Sequence, residues 1–350
     1  MQSKHGSGVK GLTIGMDISD RILAFARLGE AMKSLPPTEK LTLFQRASNE
    51  NAWFTESSLE QAWQGISYLL DEPKLRRLLA RYPPCSTCKT VGVTMAGNIP
   101  LVGFHDFMCV LLAGHCIWLK PSASDRVLIL AVIELLKQIE PAFADRIRVV
   151  ERLNGVAAAI ATGSNNTARY FEYYFRSIPH LIRKNRTSCA VLSGDETPDD
   201  LVALGNDVFS YYGLGCRNVS TLFVPTNYNF KPLLDVWQKF STVAQHHKYA
   251  NNLDYQKAIM LVNCTAFLDG GHVLLRESEQ FVSPISVVHY RVFQNEQHLQ
   301  DLLIQARDQI QITLTANGNL WGSKPFGTAQ LPEPEDFADG VDTMAFLTAL

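Results

Sequence analysis

Between residues 10 and 82, apolar positions recur every three or four residues, the period of a helix with one buried face. The stripe is clearest over 20–35 and 56–70, with a shorter one over 75–82. From Thr90 the pattern changes. Short β-branched or apolar runs at 90–95, 116–120, 146–150 and 156–161 read as strands. They alternate with helical stretches at 100–113, 125–139 and 166–175. Pro100 suits a first helical turn, and Ser122 or Ser124 suits the cap of the following helix. Such alternation predicts a mostly parallel sheet covered by helices on both faces. A second series starts near Ser188, with strands at 189–192, 219–224, 286–293 and 310–315. Thr197-Pro198-Asp199-Asp200 opens a helix with a capping hydroxyl, an early proline and acids in the first turn. Its apolar face is Leu201, Leu204, Val208 and Tyr211, and the pattern runs to Gly213. Further helices are expected at 231–245, 253–261 and 296–309, and the apolar tail 339–347 reads as a docking strand.

A chain of 350 residues, 46% hydrophobic, exceeds one core and predicts about two domains. The expected division is 1–185, helices plus a cofactor-binding α/β domain, and 186–320, a second α/β domain carrying the cysteine described below. Residues 321–350 form a tail that returns to the fold or to an oligomer interface. The net charge of −2, without a basic stripe, argues against a nucleic-acid partner. The longest apolar stretch near a helix, 127–133, ends at Glu134 and is too short for a membrane span. No hydrophobic signal core is visible, so a cytoplasmic protein is expected. Seven irregularly spaced cysteines fit reduced thiols rather than a disulfide framework. Cys85 and Cys88 form a C-x-x-C pair with no second pair to complete a metal site, and no metal is expected.

The chemistry concentrates in Tyr211-Tyr212-Gly213-Leu214-Gly215-Cys216-Arg217-Asn218, which places one thiol on a glycine-flexed loop between a helix and a strand. Glycine lets the backbone pass close to a ligand and take positive φ. The loop alone fits equally a nucleophile and a small buried thiol at a turn. Three polar groups stand at predicted strand ends, where open α/β sheets bind ligands: Asn98, Lys120, and Thr162-Gly163-Ser164 before a helix. No G-x-G-x-x-G follows a predicted strand, where a dinucleotide fingerprint has to lie, and the phosphate-binding Walker loop is absent.

Together these motifs resemble the aldehyde dehydrogenase superfamily and, within it, the acyl-CoA reductases of the LuxC family. The resemblance runs from about Thr90 to the C-terminus, and more loosely over the helical start. It rests on Tyr212 to Ser220, Lys248-Tyr249-Ala250-Asn251-Asn252, Asp339-Gly340-Val341-Asp342-Thr343-Met344, Gly97-Asn98-Ile99-Pro100, Leu119-Lys120-Pro121-Ser122 and Thr162-Gly163-Ser164. It implies two doubly wound α/β domains with the active site in the cleft between them. Carried over, Cys216 is the nucleophile, and Asn98 with the Cys216 N–H forms the oxyanion hole. Lys120 would contact the adenine ribose and Gly163 and Ser164 the pyrophosphate, with Ser122 and Thr162 also among the cofactor-binding residues.

Two departures from the superfamily refine the expectation. The place of its water-activating Glu falls near Arg183-Lys184-Asn185-Arg186, which holds no carboxylate. The thioester is then exchanged with a thiol, and the resemblance implies reduction of acyl-CoA to an aldehyde. Ala123 stands where an acid that repels a 2′-phosphate often lies, so NADPH is the expected cofactor, with NADH also admissible. An oxidative dehydrogenase using Glu196 or His180 as base, and an inactive partner subunit on the same fold, are the competing readings. Glu279 is the nearest match to a nicotinamide-ribose carboxylate, although a surface Glu fits as well. Phe104, Phe107, Tyr211, Tyr212, Trp321 and Phe326 could line an acyl pocket or belong to the core. A homo-oligomer or an acyl-donor partner protein is compatible with the chain.

Overall fold

Capping side chains mark where the helices start in the computed structural model, which describes residues 16–85, 87–163, 165–320 and 322–350. The chain opens with α1 (Ile18–Lys33), α2 (Pro37–Glu50), α3 (Glu56–Leu69) and α4 (Glu72–Leu79). Asp17, Thr55 and Asp71 accept N–H groups at the first turns of α1, α3 and α4. Helix α2 has no side-chain cap and starts on Pro37. Its buried stripe is only Leu43, Phe44 and Ala47, which is why the apolar period did not delimit it. Phe25, Leu28, Met32 and Trp63 pack these helices onto the first sheet in one core.

That sheet contains β1 (Thr90–Thr94), β2 (Cys116–Lys120), β3 (Ile147–Val149), β4 (Ala158–Thr162) and β5 (His180–Arg183). The strands are parallel, in the order β3-β2-β1-β4-β5. The crossovers include α5 (Phe104–Ala113), α6 (Arg126–Ile139) and α7 (Asn165–Phe175). Helix α5 starts after Pro100 because Leu101 takes a φ of 56°, which no helix tolerates. Ser122 caps the 3₁₀ turn Ala123–Asp125 that precedes α6. Strand β5 escaped the pattern, being four residues with polar ends that gain order by pairing with β4. The strand order reverses between β1 and β4, which opens a crevice beyond their C-terminal ends.

The chain crosses to a second sheet through residues 184–186. This sheet holds β6 (Thr187–Val191), β7 (Val219–Pro225), β8 (Leu268–Asp269), β9 (Leu274–Glu277), β10 (Val287–Phe293), β11 (Ile310–Thr315) and β12 (Lys324–Pro325). The order is β12-β11-β6-β7-β10-β9-β8, parallel except for the β8–β9 pair. Its helices are α8 (Pro198–Phe209), α9 (Lys231–Trp237), α10 (His247–Val262) and α11 (Glu296–Ala306). Helix α8 begins with the expected capping box between Thr197 and Asp200. It stops at Phe209 rather than Gly213, because Tyr211 and Tyr212 have φ of 50° and 58°. The 231–245 stretch divides into α9 and a 3₁₀ turn, Gln238–Gln245.

The tail ends in a helix, not a strand. In α12 (Thr343–Thr348) Asp342 accepts the Ala345 N–H, and the fully buried Met344 and Leu347 lie three residues apart on one face. That spacing docks α12 on α5, in the core of the first sheet. Among the described residues, no helix is long and apolar enough to cross a membrane.

Candidate active site

A cleft of about 550 Å3 lies where the crevice beyond β1 and β4 meets the N-terminal end of β7 and the returning tail. One wall is the loop after β1. Asn51 donates to the Gly97 carbonyl at 3.2 Å, and Asp125 accepts the Leu101 N–H at 2.7 Å. Burial pushes the Asp125 carboxyl well above its usual range, and the Leu101 N–H offsets part of that. A Cβ on Gly97 would stand 2.5 Å from Ser122 Oγ, so only glycine lets this loop sit on the β2 end. Asn98 is thereby held at the cleft, its Nδ2 donating to the Leu214 carbonyl at 2.7 Å.

Leu214 belongs to the opposite wall, the loop that presents Cys216. Tyr211, Tyr212 and Gly213 are all left-handed, and the two tyrosines cost about 1–2 kcal/mol each there. The fully buried Asn218 holds this turn. Its Nδ2 donates to the carbonyls of Asp207 and Ser210 at 3.0 and 2.8 Å, and its Oδ1 accepts the Gly215 N–H at 2.8 Å. The amide therefore covers the negative end of α8, which would otherwise oppose a thiolate two residues away. Ser188 Oγ fixes the Cys216 carbonyl at 3.0 Å. Cys216 itself is half-buried and lines the cleft. Burial pushes its thiol up, the neighbouring Arg217 guanidinium pulls it down, and the Asp339 carboxylate pushes it up again.

Charge in the cleft is arranged around Arg183, at the end of β5. Its Nε and Nη2 form a fork on Asp106 of α5 at 3.0 and 2.7 Å. The remaining donors reach the Ala338 carbonyl and Thr343 Oγ1, at 2.8 and 2.7 Å, which ties the tail to both. Arg217 Nη2 donates to the Asp336 carbonyl at 2.8 Å. Lys184 pairs outward with Glu172 at 2.9 Å.

The structure brings Cys216, Asn98, Thr162 and Gly163 to one cleft. Lys120 stands exposed at the end of β2, and Ser122 spends its Oγ on the Ser124 N–H. Ser164 and Trp321 lie outside the described residues. Glu196 is engaged with the backbone N–H groups of Ser193 and Gly194, and His180 with the Ile178 carbonyl. Neither is among the cleft-lining residues, and Glu279 is exposed. Of the described aromatics, Tyr211 reaches the cleft. Phe104 and Phe107 are wholly buried in the first core, and Phe326 is buried in the second. Tyr212 packs on Trp53 and His246. The apolar lining comes instead from Ala62, Ile66 and Leu69 of α3, with Ile99 and Val282. The first three sit on a helix remote in sequence, and no local pattern marks them as lining.

The other cysteine motif forms no comparable site. Cys85 lies 3.6 Å from His115, whose ring also meets the Leu347 carbonyl and the Lys89 N–H. Among the described residues, no cluster of three metal-ligating side chains occurs.

A family model described as acyl-CoA reductase (LuxC) matches residues 54–229. Solved structures share the fold at low identity. A NAD-dependent benzaldehyde dehydrogenase from Corynebacterium glutamicum superposes with a TM-score of 0.63 at 12% identity, over 90% of this chain and 80% of that one. A NAD-dependent aldehyde dehydrogenase from Sinorhizobium meliloti gives a TM-score of 0.65 at 12% identity, over 88% of this chain and 72% of that one. An aldehyde dehydrogenase from Mycobacterium tuberculosis, complexed with NAD+, gives 0.60 at 13%, over 85% and 73%. No curated protein matches the chain in sequence.

Proposed function

The chain belongs to the acyl-CoA reductase (LuxC) family, and from that membership we propose that it reduces an acyl thioester to an aldehyde with NADPH, through an acyl group held on Cys216. The cleft carries this reading. It joins the Cys216 thiol to the Asn98 amide, while the bordering stretch 183–186 is Arg-Lys-Asn-Arg, with no carboxylate to activate water. The Cys216 sulfur attacks the thioester carbonyl, and coenzyme A departs as a thiolate. Negative charge on the carbonyl oxygen is met by the Cys216 N–H and by the second N–H of Asn98, the first being spent on Leu214. The apolar side chains of α3 receive the acyl chain.

The crevice beyond the first sheet suits a dinucleotide. It offers the exposed Lys120 ammonium and the N-terminal end of α7, which the chain enters just after Thr162 and Gly163. A reduced nicotinamide bound there supplies the hydride. Cys216 then leaves with the electron pair of the C–S bond, and the aldehyde is released. Preference for NADPH rests on Ala123, exposed where a carboxylate would repel the 2′-phosphate. Glu50 reaches the start of α6 nearby, but its carboxylate accepts the Arg126 and Val127 N–H groups at 3.1 and 3.0 Å.

The test is loss of nicotinamide absorbance with NADPH or NADH and acyl-CoAs from acetyl to palmitoyl. The expected result is NADPH loss matched by free coenzyme A. No loss with any of them, together with acid formation from NADP and an aldehyde, would replace the proposal with oxidative dehydrogenation. Asn98→Ala should lower kcat by about 10²–10³-fold, the usual cost of one oxyanion donor, with a much smaller change in KM.

A further inference from the structure

Thiol exchange requires a proton to leave one sulfur and arrive at another, and the cleft supplies a carboxylate that the motif at 183–186 lacks. After β12 the chain runs back over the site, and Asp336, Ala338 and Asp339 join its lining. The segment is held at several points. Arg217 and Arg183 donate to the carbonyls of Asp336 and Ala338, and Gln311 Oε1 accepts the Asp339 N–H at 2.9 Å. Asp339 adopts a φ of 60°, and its side chain is 11% exposed.

Among the described residues, three carboxylates line the cleft, and two are committed. Asp106 is occupied by the Arg183 fork, and Asp336 accepts from Lys324 and from the Glu333 N–H. The Asp339 oxygens lie 3.8 Å from Arg183 Nη1 and 3.6 Å from Arg186 Nε, beyond hydrogen-bond length. They are steered by two guanidiniums and retain capacity to accept.

Resting on the acyl-CoA reductase reading, we propose that Asp339 is the proton shuttle of the acyl-transfer step, acting on Cys216 directly or through one water. Cys216 Sγ–H gives its proton to the Asp339 carboxylate as sulfur bonds to the acyl carbon. The carbon–sulfur bond to coenzyme A breaks, and the departing thiolate takes that proton from Asp339. The products are acyl-Cys216 and coenzyme A thiol, with no change in oxidation state. Release of aldehyde later returns Cys216 as a thiolate, which takes one proton from solvent, as net hydride reduction of a thioester requires.

The charged groups around the pair give the role its plausibility in energy. Burial holds the Asp339 carboxyl above its ordinary value; Arg183 and Arg186, which face it, favour its anion, and Asp106 adds to the upward push. A carboxylate raised in this way is a better match to a thiol than an exposed one.

The test is rapid-quench release of coenzyme A from acyl-CoA without NADPH, from pH 6 to pH 10, for wild type, Asp339→Asn, Asp339→Glu and Cys216→Ala. Asp339→Asn should slow the burst by about 10²-fold near neutrality, and the deficit should shrink as rising pH ionises Cys216 without help. Asp339→Glu should restore part of the rate. A purely electrostatic Asp339 predicts the opposite sign, since removing its charge makes the Cys216 thiolate easier to form. Release from Asp339→Asn as fast as wild type, or faster, therefore overturns the shuttle. Iodoacetamide labelling of the Cys216 peptide should be no slower in Asp339→Asn than in wild type; slower labelling would mean a disturbed loop and would also overturn it. No burst in wild type, or an equal burst in Cys216→Ala, sinks the acyl-CoA reductase reading instead.

Discussion

Cys216→Ala should abolish acyl transfer, lowering coenzyme A release and NADPH oxidation by about 10³-fold or more, with a melting temperature close to that of wild type. The size follows from removing the atom to which the acyl group must bond; oxyanion donors and binding leave only a residual rate. The loop that carries the sulfur does not depend on it. Asn218, Ser188 and the Asn98–Leu214 bond hold the backbone on either side. Losing a half-buried thiol there should cost under about 1 kcal/mol. Rapid-quench assays paired with thermal melts separate the two effects. A variant that still turns over acyl-CoA at the normal rate would remove Cys216 from the chemistry.

Arg183→Met should destabilise the protein by about 3–5 kcal/mol, the range for breaking a buried ion pair by deleting one partner. The side chains of Arg183 and Asp106 are 4% and 9% exposed, so solvent cannot take over the lost bonds. Methionine keeps much of the volume but leaves Asp106 as an uncompensated buried charge. It also frees the Ala338 carbonyl and Thr343 Oγ1, the points at which the tail is latched to β5. Activity should therefore fall further than stability alone explains. Adding Asp106→Leu should recover much of the stability without the activity, because the apolar pair removes the stranded charge but not the open latch. Urea denaturation of both variants reads this directly, and a full rescue of turnover by the double variant would contradict the latch.

The alternation of short apolar runs with helical stripes from Thr90 onward was enough to expect parallel sheets under helices. Strands β2 and β11 coincide with the runs expected at 116–120 and 310–315. The same locality explains why β5 and α2 were poorly marked. His180–Arg183 is ordered by pairing with β4, and α2 buries only a narrow stripe. The tail was misread because apolar content at a chain end does not distinguish strand from helix; the Asp342 cap and the Met344–Leu347 spacing do.

In the site, Cys216, Asn98 and Gly163 were legible because each sits in a local motif whose backbone demands are visible in neighbouring glycines and prolines. Asn218 was part of such a motif, yet its role depends on carbonyls 8 and 11 residues earlier that only the turn after α8 returns to it. The Arg183–Asp106 fork joins residues 77 apart, and the tail brings Asp339 beside side chains more than a hundred positions away. Periodicity and motif spacing report what a residue does to its own stretch of chain. Which distant charges share a low-dielectric cleft is set by packing the two sheets and folding the tail back between them.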